Sequence, residues 1–152
     1  MNLTELLGLE QIVPRLAATD RWAAIDELID VLVRTHKIRP EDREAVRKAV
    51  KDRELSKSTG IGYGVALPHA SVPCIQDVVA AFGCLVQGID FQALDNQPVK
   101  MCVLFLTPQG QFQKNLLTLS MFARFLSNKE TRQKLEAAQT AEEILAILRA
   151  AS

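Results

Sequence analysis

Two uninterrupted apolar runs, Val78–Val86 (VVAAFGCLV) and Met101–Leu106 (MCVLFL), constrain this chain more than any other feature. Both are of strand length and partly β-branched, and neither alternates as a strand with one wet face would. They predict buried central strands, side by side in a sheet that is covered on both faces. Gly88 bounds the first run, and Pro108 and Gly110 bound the second. Ile89-Asp90-Phe91 and Asp95-Asn96-Gln97-Pro98 between them read as connecting loop and turn. Val78–Val86 is far too short to span a bilayer.

A sheet wet on neither face needs helices on both. Asp20 offers an N-cap, and Trp22, Ile25, Leu28, Ile29, Leu32 and Val33 then follow at helical spacing to about His36. Arg39-Pro40 opens a second helix, with Glu41-Asp42 in its first turn. On it Val46, Ala49, Val50 and Arg53 share one face, so Arg53 is predicted to point towards the body. From Gln111, Phe112, Leu116, Leu119, Phe122, Ala123 and Leu126 predict a well-buried helix, widened by Leu117, Met121 and Phe125. Ser127-Asn128-Lys129-Glu130 and Thr140-Ala141-Glu142-Glu143 read as capping boxes that open two more. Leu3–Leu7 predicts a turn of helix, and Ile12–Leu16 an edge strand, since Pro14 cannot donate to a central ladder. One α/β domain with a small sheet between helices is the expectation.

The remaining stretch, Ser58–Ala70 (STGIGYGVALPHA), holds three of the seven glycines and one of the two histidines. Alternating glycines let a backbone or a ligand approach closely. Val65-Ala66-Leu67 reads as a short strand that Pro68 ends. His69 follows, with Ala70 and Ser71 too small to cover it. Spacing alone leaves two readings open: a site with a histidine at its mouth, or a glycine-rich turn with an incidental histidine. Arg53 is open in the same way, its partner being Glu54 or another core carboxylate, or a bound phosphate. His36, near a helix C-terminus, reads as a capping or surface residue.

Several functions are excluded or disfavoured. The 152 residues carry 18 basic and 18 acidic side chains, with no basic run to track nucleic acid. The N-terminus shows no basic segment followed by a long apolar one, so no secretory signal is read. Cys74, Cys84 and Cys102 are odd in number and form no CxxC pair. Free thiols in a reducing cytoplasm are expected. Neither histidine shares a ligand spacing with the cysteines, so no metal site is predicted. The glycine loop lacks the Lys-Ser/Thr ending of a P-loop and is no dinucleotide fingerprint. A histidine nucleophile carrying a phosphoryl group stays possible, with Arg53 and the loop's backbone amides as partners for the phosphate oxygens.

At these residues the sequence resembles a known family. STGIGYGVALPHA, preceded by Arg53-Glu54, is similar to the active-site signature of the fructose/mannitol-type IIA domains of the bacterial phosphotransferase system, and most to their nitrogen-regulatory branch. Ile89-Asp90-Phe91, Asp95-Asn96-Gln97-Pro98-Val99, Thr107-Pro108 and Leu116-Leu117-Thr118-Leu119-Ser120 fit the same pattern in order. The resemblance implies one such domain over residues 1–152, with a mixed sheet sandwiched between helices and no cofactor. It further implies a phosphoenolpyruvate-dependent relay in which an HPr-like carrier phosphorylates a histidine, together with regulatory target proteins as partners. His69 matches the phosphorylated histidine and Arg53 the arginine beside it. Ser58, Thr59 and Gly60 match the loop start. Two departures stand out: Ala70 replaces a usual glycine, and Asn115 stands where the family has a second active-site histidine. An asparagine can donate to a phosphate oxygen but carries no charge. A IIA-like regulatory module impaired in phosphorylation, acting by protein binding, is therefore the alternative.

Overall fold

The computed structural model describes residues 1–151, so Ser152, the last residue of the expected domain, lies outside the described residues. In chain order the elements are α1 (Leu3–Leu6), β1 (Ile12–Val13), α2 (Arg21–Arg34), α3 (Arg43–Ser56), β2 (Gly60–Gly62), β3 (Val65–Ala66), β4 (His69–Val72), β5 (Val79–Ile89), β6 (Val99–Pro108), α4 (Phe112–Ser127), α5 (Lys129–Ala137) and α6 (Ala141–Ala151). The two apolar runs are the neighbouring long strands β5 and β6, antiparallel with Val79 opposite Leu106 and Cys84 opposite Met101. β1 runs parallel to β5, β3 and β4 run parallel to β6, and β2 closes back antiparallel on β3. The sheet is therefore mixed, in the order β1-β5-β6-β3-β2, with β4 also on β6.

Period-two alternation divides the central strands between two cores. Cys102, Leu104 and Leu106 of β6 pack with Ile25, Leu28, Ile29 and Leu32 of α2 and Val46 and Val50 of α3. Met101, Val103 and Phe105 face the other way, against Phe122 and Leu126 of α4, Leu135 of α5, and Ile144 and Leu148 of α6. Each such side chain removed from water contributes on the order of 1.5–3 kcal/mol. The caps follow the sequence. Asp20 accepts from the Ala23 amide at 2.9 Å, and Thr140 from that of Glu143 at 3.1 Å. The cap of α5 falls on Asn128, which accepts from the Thr131 amide at 2.9 Å, while Ser127 still belongs to α4.

Two expectations need correction. Pro68 interrupts the pairing along β6 without ending it. Its carbonyl accepts from the Phe105 amide at 3.1 Å, and β4 resumes at His69. Proline lacks a donor, not an acceptor. Nor is α4 buried along its whole length. Its buried stripe is Thr118, Phe122, Phe125 and Leu126, a spacing of 4, 3 and 1 that marks one helical face. Phe112, Leu116 and Leu117 fall outside that stripe and are 72%, 46% and 63% exposed.

Candidate functional site

The register of β4 on β6 sets His69 beside Phe105 and Ser71 beside Thr107. Side chains two apart on a strand share a face, so all four lie on the sheet face that α4 covers, while Ala70 and Val72 enter the α2–α3 core. The imidazole stacks on the Phe105 ring, centroids 4.8 Å apart and planes 5° from parallel. His69 is consequently only 7% exposed. Of the small neighbours expected to leave it open, Ala70 points to the opposite face and Ser71 shares the face of His69 without uncovering it. What covers the ring is Phe105, distant in sequence. Truncating His69 to alanine would thus vacate a packed position rather than a pocket mouth, so a glutamine keeps the volume better.

The Nδ1 atom of His69 lies 2.7 Å from the Leu67 carbonyl oxygen. A carbonyl only accepts, so Nδ1 holds the proton and Nε2 keeps the lone pair in the neutral ring. Burial pushes the imidazole below its ordinary value of 6.5; the Leu67 bond opposes this, the Arg53 charge adds to it, and Glu54 opposes it. The neutral ring is therefore the favoured form at pH 7, with the lone pair on Nε2.

Arg53 lies in the last turn of α3, half-buried as its helical position predicted. Its Nη1 donates to the Lys57 carbonyl at 2.8 Å. The carboxylate partners considered for it are otherwise engaged. Glu54, 1% exposed, accepts from the Thr59 amide at 2.9 Å and the Thr59 hydroxyl at 2.5 Å, and lies 3.8 Å from Arg21. The Ser58 hydroxyl donates to the Phe91 carbonyl at 2.6 Å and accepts from the Gly60 amide at 3.0 Å, while the Tyr63 amide donates to Asp95 at 3.1 Å. The Thr59, Gly60 and Tyr63 amides, read from sequence as donors for a ligand, are thus bonded within the fold. Gly60 is glycine because a Cβ there would sit 2.7 Å from that of Ala93. The loop braces the end of α3, and with it Arg53, against the strands that lead to His69.

On the other side, Asn115 occupies the first turn of α4. Its Oδ1 accepts from the buried Thr107 hydroxyl at 3.3 Å, and the Thr107 oxygen is 3.1 Å from that of Ser71. Sequence reasoning reached Asn115 and missed Ser71 and Thr107. Their signal was period two: 71 and 107 repeat the positions of 69 and 105, and Thr107 is the polar residue that closes an apolar run. His36 is exposed with φ of 61°, in keeping with its reading as a surface residue. Among the described residues no cluster of three or more histidine, cysteine or acidic side chains could hold a metal, and no helix is long and apolar enough to cross a membrane.

Residues 5–151 match the family described as phosphoenolpyruvate-dependent sugar phosphotransferase system, EIIA 2. A nitrogen regulatory protein of Bradyrhizobium diazoefficiens is 32% identical over 148 residues, which are 97% of this chain and 95% of that protein. The fructose-specific EIIABC component of Bacillus subtilis is also 32% identical over 148 residues, again 97% of this chain, but the chain spans only 23% of that protein's length. The crystal structure of the nitrogen regulatory protein IIA-Ntr from Neisseria meningitidis superposes with a TM-score of 0.85 at 30% identity, covering 95% of this chain and 97% of the other.

Proposed function

This chain belongs to the EIIA 2 family of the phosphoenolpyruvate-dependent sugar phosphotransferase system, and from that premise we propose that it is a cytoplasmic phosphocarrier with His69 as acceptor. The observation that carries the reading is the state of the imidazole. It is neutral, its Nδ1 proton is tied to the Leu67 carbonyl, and its Nε2 lone pair is free to attack. In the step proposed, Nε2 attacks the phosphorus of a phosphohistidine on an HPr-like donor. The new N–P bond forms as the donor's N–P bond breaks, and that electron pair returns to the donor's ring. The Nδ1 proton stays in place, and the Leu67 carbonyl stabilises the positive charge that the ring gains. Arg53 offsets the charge of the transferred group.

The exposed Phe112 and Leu116 flank Asn115 on α4 and suit docking of a protein donor. The decisive experiment incubates the protein with phosphoenolpyruvate, enzyme I and an HPr-type carrier, then measures intact mass. Gain of one phosphoryl group by the wild type and none by His69→Gln is expected; gain by both would overturn the assignment. One observation favours a second reading, a regulatory module that acts by protein binding with reduced phosphoryl chemistry. The family's second histidine is here the uncharged Asn115, and losing a cationic contact costs roughly 1–3 kcal/mol. Wild type that gains no mass would favour that reading.

A further inference from the structure

The Thr107 hydroxyl is fully buried and directly follows the apolar run Met101–Leu106 of β6. A valine would fill the same space without a polar group to satisfy, so the hydroxyl calls for a role. Its oxygen stands between the Ser71 hydroxyl at 3.1 Å and Asn115 Oδ1 at 3.3 Å. It has one proton. Given to Asn115, that proton obliges Ser71 to donate in turn to Thr107, so the row is polarised from Ser71 through Thr107 to Asn115. The end of the Asn115 amide that faces Thr107 is its oxygen, and this placement sets the direction of the row. Both N–H bonds of Nδ2 are left for a ligand.

Resting on the phosphocarrier reading above, we propose that Thr107 is a positioning residue that sets the Asn115 amide with its N–H donors, rather than its oxygen, towards the phosphoryl group on His69. Thr107 lies one same-face step along β6 from Phe105, on which His69 stacks, so the row borders the acceptor ring. An amide turned the other way would present a partly negative oxygen to an anionic group. Held this way, a neutral side chain does part of the work of a cation. Ser71, exposed at the outer end, keeps the row oriented by donating inward.

The test uses the intact protein and the donor relay of the previous section, with the rate of phosphoryl uptake as readout. Thr107→Val should slow uptake by about fivefold to tenfold, the scale of one lost hydrogen bond, with little change in thermal melting. Thr107→Ser, which restores the hydroxyl, should recover most of the rate. In an Asn115→Ala background, Thr107→Val should add nothing, because its effect passes through the amide. Uptake by Thr107→Val equal to that of a competent wild type overturns this role alone. An equal slowing in the Asn115→Ala background also overturns it, since Thr107 would then act through packing. No uptake by the wild type sinks the phosphocarrier reading, and this role with it.

Discussion

The two flanks of His69 handle their polar groups in opposite ways. On the side of the β2–β3 hairpin, Glu54, Ser58, Thr59 and the amides of residues 59, 60 and 63 bond to one another, to the Phe91 carbonyl and to Asp95, and Glu54 and Thr59 are buried. On the α4 side, the row from Ser71 to Asn115 starts at an exposed residue and ends on a half-buried amide whose N–H donors the row does not use. The first arrangement fixes geometry and the second can meet a ligand. Substitutions on the hairpin should therefore register mainly as lost stability, and those in the row mainly as altered reactivity. That division can be broken at several points.

The largest loss is expected from Glu54→Ala. It strands a buried amide and a buried hydroxyl of Thr59 and takes the counter-charge from Arg21. The cost should be about 3 kcal/mol, or roughly 6–12 °C in melting temperature for a chain of this size. A thermal melt matching the wild type would show that the hairpin is no brace. Next comes Gly60→Ala, whose new Cβ would lie 2.7 Å from the Ala93 Cβ and 2.9 Å from its Cα. Backbone must shift to make room, at a cost of about 1–3 kcal/mol, readable by urea denaturation. A midpoint that does not move would mean that residue 93 yields freely.

These two positions also show how far the sequence could be read. The glycine pattern announced a close approach, and one exists, but with Ala93 rather than a ligand: a sequence marks where backbones come close without saying to what. The central strands, the helices and most caps were legible because they depend on local periodicity and local capping chemistry. The burial of His69 was not, since Phe105 lies 36 residues away and meets it only through the β4–β6 register. The same register hides Ser71 beside Thr107. The exposed start of α4 was missed for a related reason: apolar residues ran nearly all round the helix, and only tertiary packing selects which face is covered.

A smaller effect is expected from Phe105→Leu, which keeps an apolar side chain but removes the surface on which the imidazole stacks. Some volume and the ring-to-ring preference go together, at about 1–2 kcal/mol by chemical denaturation. A leucine as stable as the phenylalanine would mean that the 4.8 Å stacking is incidental packing.

The finest probe of the comparison is Arg53→Gln, because Arg53 belongs to the braced flank yet its charge reaches His69. Burial is the main cause of the lowered His69 value, and the arginine adds to it. Removing that charge should raise the His69 value, while the burial that disfavours the charged ring persists. The consequence for stability follows by linkage. The folded state binds fewer protons at His69 than the unfolded chain does, so stability is full above 6.5 and declines as pH falls below it. In Arg53→Gln that decline should be shallower, because the gap between folded and unfolded values narrows. An NMR titration of the ring in a His36→Gln background, which removes the other imidazole signal, reads the value directly. Uptake should track it, falling as pH drops through the lowered His69 value and the buried ring gains its second proton. A value unchanged or lowered in Arg53→Gln would mean that the guanidinium is too well screened to act on the imidazole. The cationic partner for a phosphoryl group would then have to be sought on the α4 side, where Lys114 stands next to Asn115 in the first turn.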